Sequence, residues 1–167
     1  MKITGDTIEQ FSVPLEDYLA NWIFKDENEL LAPNEHKDQI FPLTKEAAKF
    51  LWDFEMQLGM DCSEKHFKTI TTFDSSSAEQ MEIKKYLYTL GIPFGQKVFI
   101  AMQPELGFVL TWKMVIKYSH HLFFAHDQVV RDRTLNWALQ FHHDGLFTFC
   151  KDALKKEVIQ NAKSNLI

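Results

Sequence analysis

Apolar positions along the chain change period near Lys97, from helical spacing before it to alternation after it. Leu15, Tyr18, Leu19, Trp22 and Ile23 recur at i, i+3, i+4, i+7 and i+8, which predicts a one-faced helix with Pro14 in its first turn. Lys25 to Pro42 breaks that pattern with Pro33, Asn34 and a run of charges, and reads as a long surface connection. Thr44 offers an N-cap to a second stripe of Ala47, Leu51, Phe54 and Leu58, which Gly59 ends. Trp52, Asp53 and Glu55 fall off that stripe. Asp53 and Glu55, two apart on a helix, point in different directions, so they read as a solvated face rather than an acid/base pair. Ser76 with Glu79 has capping-box spacing for a third helix reaching Leu90, stopped by Gly91, Ile92 and Pro93.

From Lys97 the alternation predicts strands. Val98 to Met102 is a short apolar run, and Pro104 to Gly107 supplies a turn. Phe108, Leu110, Trp112, Met114, Ile116 and Tyr118 then share one face of a long strand, with Lys113 and Lys117 in solvent on the other. Val129 to Thr134 is a further strand. Trp137 to His143, the Asp144-Gly145 turn and Leu146 to Lys151 form a hairpin in which a two-residue turn places His143 opposite Leu146 and His142 opposite Phe147. A longer loop starting at His142 would relax that register. Ala153 to Ala162 closes the chain as a helix with Leu154 and Val158 inward. The segregated order of patterns predicts one α+β domain over residues 1–167, with N-terminal helices on one face of an antiparallel sheet of about four or five strands and a C-terminal helix.

Composition agrees with a packed globular chain. Hydrophobic residues make up 46% and charged residues 25% of the 167 positions, and 15 Phe give the core an aromatic character. The residues after Met1 show no signal-peptide pattern, and no apolar run is long enough to span a bilayer. Cys62 and Cys150 are far apart and form no CxxC pair, so they read as free thiols in a reducing cytoplasm, Cys150 as a small buried hydrophobe. Charge narrows the partners. Residues 1–60 carry 12 acidic against 5 basic side chains, while residues 61–167 carry 11 against 13. Such an acidic front disfavours nucleic acid and anionic membrane surfaces and favours a basic protein partner. Asp26, Glu27 and Glu29 would meet that partner, with Trp52, off its helix stripe, as an aromatic anchor.

Candidate chemistry concentrates in histidines. Five of the seven, His120, His121, His126, His142 and His143, lie within 24 residues. A zinc site built from His121, His126, Asp127 and His142 would make the chain a metal-dependent hydrolase, although no HExxH or HxH spacing supports it. A third possibility is a small-molecule-binding domain with an aromatic pocket between helices and sheet.

Trp112-Lys113-Met114-Val115-Ile116-Lys117-Tyr118, Leu122-Phe123-Phe124, Asp127-Gln128-Val129 and Trp137 through Phe149 together resemble a pattern in small uncharacterised bacterial proteins, some similar to the immunity proteins that neutralise toxins. The chain departs from the pattern at Ser119-His120-His121, where an aromatic residue and two acids are expected. The resemblance implies a bacterial, intracellular protein and little else, and names no catalytic residue. The leading expectation for function, drawn from the acidic front, is a non-enzymatic cytoplasmic binding protein without a cofactor, immunity-like, that meets a basic partner.

Overall fold

The computed structural model describes residues 2–154 and 156–166, in which all seven strands join one antiparallel sheet. The strands are β1 (Ile40–Pro42), β2 (Phe67–Asp74), β3 (Lys97–Gln103), β4 (Leu106–Thr111), β5 (Gln128–Arg131), β6 (Trp137–His142) and β7 (Leu146–Ala153). Their order across the sheet is β1-β4-β3-β5-β6-β7-β2. The α+β class and antiparallel pairing agree with the sequence, but the count exceeds the four or five strands expected. Both additional edge strands, β1 and β2, pair with segments remote in sequence, which hairpin and turn signals do not report.

The helices are α1 (Asn34–Lys37), α2 (Lys45–Leu58), α3 (Gln80–Thr89), α4 (Trp112–Lys117), α5 (Ser119–Leu122) and α6 (Lys156–Leu166). Helix α2 follows its local signals. The Ala47 N–H donates to Thr44 Oγ1 at 3.3 Å, and Gly59 closes the helix at φ 55°. In α3 the capping box is Glu79 with Glu82, three residues later than the predicted start at Ser76.

Other elements depart from expectation. The predicted helix over residues 15–23 is instead two 3-10 segments, Leu15–Asp17 and Asn21–Phe24. Leu15, Tyr18 and Ile23 are buried while Leu19 and Trp22 are exposed, so no single helical face exists. Tyr18 fixes this wrapped path: its Oη donates to Gly107 O at 3.1 Å and accepts from Gly107 N at 3.0 Å. The long strand predicted from Phe108 breaks after Thr111, and residues 112–117 form α4. Lys113 and Lys117, four residues apart, share a face in either conformation, which is why alternation alone misleads. At the C-terminus Leu154 and Val158 are exposed, and Ile159 and Ala162 turn inward instead. Lys155, within the predicted helix, lies outside the described residues, as does Met1.

Helices cover both faces of the sheet, rather than one. On the first face, Val98, Ile100, Phe108, Leu139 and Phe147 pack with Phe24, with Leu87 of α3 and with Trp112 of α4. On the second, α2 seats Ala48 and Leu51 against Phe99 and Val109, while Phe54 and Ile159 pack with Ala138 and Cys150. Gly107 permits the close crossing of α2 over β4, because a Cβ there would stand 3.6 Å from Ala48 Cβ and 3.2 Å from Ile100 O. No helix among the described residues is long and apolar enough to cross a membrane.

The β6–β7 register positions the site. Trp137, Leu139 and Phe141 stand opposite Lys151, Phe149 and Phe147, and His142 stands opposite Leu146. This is a one-residue slip from the register of a two-residue Asp-Gly turn. The connection is the three-residue loop His143-Asp144-Gly145, with Gly145 at φ 93° and its N–H donating to His142 O at 2.8 Å. Burial decides the outcome: the slip brings Leu139, Phe141, Phe147 and Phe149 to the first face together, whereas the predicted register would split them. The same slip sends Gln140, His142 and Thr148 to the second face.

Candidate functional site: a groove beside helix α2

Helix α2 covers β3 and β4 and reaches β6 and β7 through Phe54, but beside Trp52 and Met56 it leaves part of the second face open over β5, β6 and β7. The opening is a groove of about 700 Å³. Its floor is a cross-strand row of Val129, Gln140 and Thr148, which alternation and the slipped register bring side by side. Trp52 and Met56 of α2 form one wall, Gly59, Met60 and Asp61 the inner end, and Asp127, His142 and Leu146 the mouth.

The inner end is fastened twice. Gln140 Oε1 accepts the Cys62 N–H at 3.1 Å, and a disulfide joins Cys62 to Cys150 with Cα atoms 5.5 Å apart. The expectation of two free thiols is therefore corrected, and with it the thiol argument for a reducing compartment. Sequence distance hid the pairing: β7 brings Cys150, completely buried, under the loop that follows α2. Cys150 keeps its predicted burial but offers no thiol nucleophile in this state.

A charged pair lies in the groove. Arg131 Nε donates to Glu55 Oε2 at 3.0 Å and Arg131 Nη2 donates to Met60 O, while Nη1 has no hydrogen-bond partner among the described residues. Arg131 is 2% exposed, so its unsatisfied donor is costly in the absence of a further acceptor. Burial pushes the Glu55 carboxyl up, and the Arg131 charge beside it pulls it back. Glu55 thus overturns the solvated face expected of it. The signal available in sequence was an arginine directly after the apolar Val129-Val130 pair in the predicted strand, which needs an acidic partner if that strand is buried.

At the mouth, Asp127 meets both hairpin histidines. Asp127 Oδ1 accepts from the His143 backbone N–H at 2.9 Å and lies 2.8 Å from His143 Nδ1; Asp127 Oδ2 lies 4.0 Å from His142 Nε2. The two imidazoles lie against one another with centroids 4.1 Å apart and planes tilted by 33°. Hydrogen bonds from His143 hold the Asp127 carboxyl below its usual range, and Asp127 in turn raises the His143 imidazole.

The predicted site residues are thus divided. Asp127 and His142 converge, joined by His143, which the expected hairpin register had kept apart from His142. His126 is exposed outside this group, and His121 lies on the other side of the sheet, with Nδ1 3.1 Å from Ile23 O and its ring beside Trp22. His120 accompanies it there, with its imidazole pushed down to about 4 by burial first and then by His121 and Lys84. Trp52 is half-buried against the groove. The exposed tryptophan beside Asp26, Glu27 and Glu29 is Trp22, at 47% exposure, and with His121 they line a smaller hollow of about 340 Å³. Asp26 shapes that loop by accepting the backbone N–H groups of Asn28 at 2.8 Å and Leu30 at 3.0 Å.

Comparison with family models, with curated proteins and with solved structures finds no match to this chain.

Proposed function

We propose that the chain is a non-enzymatic binding protein whose principal site is the groove, occupied by a small amphipathic molecule carrying an acceptor group such as a carboxylate. The observation that carries the reading is Arg131, which lines a groove walled by Trp52, Met56 and Val129 and whose Nη1, buried beneath the groove surface, has no hydrogen-bond partner among the described residues. Ligand sites are commonly concave, mostly apolar and furnished with a few placed polar groups. The ligand's apolar body would lie along Trp52 and Met56, and a small shift of the groove wall would let its acceptor reach the Arg131 guanidinium. A medium-chain fatty acid, decanoate, is the test ligand. Titration should raise the melting temperature, and Val129→Trp, which fills the floor, should abolish the rise. A melting temperature indifferent to decanoate in the native protein counts against a carboxylate-bearing ligand.

A second reading keeps the basic protein partner and the immunity-like role, moved to the opposite side of the sheet. Its support is the exposed Trp22 among Asp26, Glu27 and Glu29, an aromatic anchor ringed by charge that would steer a basic surface into place. Capture of basic partners from a cognate lysate, followed by their association kinetics, tests it. The on-rate should fall with salt and the complex should weaken in Trp22→Ala; a salt-independent rate removes the acidic loop from recognition.

A further inference from the structure

We propose that the tip of the β6–β7 hairpin is a site for a divalent transition-metal ion, with Asp127, His142 and His143 as ligands and Asp144 as the carboxylate that orients both imidazoles. Two of its ligands, Asp127 and His142, stand at the mouth of the groove, but the site needs no occupant of the groove to form.

The donor set is the first argument. One donor atom from each of the three ligands lies within 4.8 Å of the others. In a tetrahedral site with bonds of about 2.0–2.1 Å, donors stand roughly 3.4 Å apart. The Asp127 oxygens already bracket that separation, at 2.8 Å from His143 Nδ1 and 4.0 Å from His142 Nε2. Small side-chain rotations close the set, and all three side chains are exposed enough to make them. Two imidazoles and one carboxylate suit zinc, cobalt or iron better than the hard cations calcium and magnesium, which take oxygen.

The second argument comes from the far edges of the rings. Metal-bound histidines generally donate their other ring N–H to a carboxylate or carbonyl, which fixes tautomer and orientation. Here both rings turn those second nitrogens toward one residue: His142 Nδ1 lies 3.3 Å from Asp144 Oδ2 and His143 Nε2 lies 3.6 Å from Asp144 Oδ1. Asp127 and Asp144 thus flank a pair of adjacent imidazoles, one on the inward nitrogens and one on the outward. His142 Nδ1 also lies 3.3 Å from the Asp144 N–H, a contact suited to the tautomer with hydrogen on Nε2. Metal on Nε2 selects the opposite tautomer.

The backbone at the tip is fixed before any ion arrives. Gly145 O accepts from Ser75 N at 2.8 Å and Ser75 Oγ at 2.6 Å. A Cβ on Gly145 would come within 2.9 Å of Ser76 N, so the loop is pressed against the segment after β2. His142 and His143 therefore sit at a braced hairpin end and Asp127 directly before β5 beside it, the kind of rigid support a metal site requires.

The test is a cobalt titration of the full, tag-free chain stripped with chelator. We expect one equivalent to bind with the visible d–d bands of four- or five-coordinate cobalt, and zinc to displace it. His142→Ala and His143→Ala should each weaken binding by about 100-fold, and Asp144→Asn by about 10-fold with the spectrum retained. Imidazole nitrogen NMR should place the metal on His142 Nε2 and His143 Nδ1. His126→Ala and Trp52→Ala should change nothing, which separates this site from the groove. Cobalt that keeps its hexa-aqua spectrum, or that binds equally well to both histidine variants, overturns the proposal.

Discussion

The two faces of the sheet are made from the same strands and do opposite things with their side chains. The first face is closed: Phe24, Phe108, Phe141 and Phe147 interlock with Trp112 and the short helices, with ring centroids 4.8 Å apart for Phe141 and Phe147 and 5.2 Å for Phe24 and Phe108. The second face is closed only at its two ends, by α2 over β3–β4 and by Phe67 and Ile159 near β2. Between them Gln140 and Thr148 replace aromatics, and the groove results. The difference teaches that the hairpin register is a choice between faces. By gathering the large apolar residues on one side, the slip leaves polar ones to face the cavity on the other.

That comparison can be broken most strongly on the closed face. Phe108, with no exposed surface, should lose about 4 kcal/mol of stability as Phe108→Ala, measured by denaturant unfolding. Trp52→Ala on the groove wall should cost far less, because Trp52 is already partly solvated. Equal losses would mean that the groove is as essential to folding as the aromatic layer. The buried pair comes next: Glu55→Leu strands the Arg131 charge and should cost about 3 kcal/mol, whereas Glu55→Leu with Arg131→Met should recover most of it. The double variant should also lose decanoate binding, which separates the pair's use from its contribution to stability. The disulfide closes a sequence separation of 88 residues, and Cys62→Ala with Cys150→Ala should lower stability by roughly 2–4 kcal/mol.

The smallest effect is an acid one and belongs to the closed face. The His120 imidazole sits at about 4, below its ordinary 6.5, so the unfolded chain binds a proton there that the folded chain refuses. Its contribution is present above pH 6.5 and is lost as pH falls toward about 4. Comparing the pH dependence of unfolding in His120→Gln and the native protein isolates it; the variant should lose less stability across that window.

Local chemistry was legible and long-range pairing was not. Thr44 and Gly59 delimit α2 from residues within one turn of each end, and Gly91 behaves likewise after α3, with φ 73°. Strand β2 has no adjacent hairpin partner, and β1 is three residues long, so both escaped notice. Residues 112–118 satisfy two periods at once, and only the burial of Trp112, Met114 and Val115 on the inner side of α4 decides between them. Within the site, Asp127 and His142 were legible as ligating types near strand ends. The convergence of His143 and the choice of Glu55 as the partner of Arg131 were not, because each depends on a register or a crossing that no local signal encodes. The disulfide escaped for the same reason.

Strand order also sets a schedule for folding. β2 finds its sheet partner only in β7, where Thr71 stands opposite Phe149, and β1 waits for β4, where Phe41 stands opposite Val109. Closing such distant contacts spends chain entropy before burial returns it, a topology associated with folding in milliseconds to seconds rather than microseconds. On the ribosome, a β2 segment containing Thr69, Ile70, Thr71 and Phe73 therefore remains without its strand partner until residues 146–153 have emerged. During that interval its open edge is available to other nascent chains, so slowing elongation after residue 74 should increase misassembly rather than relieve it.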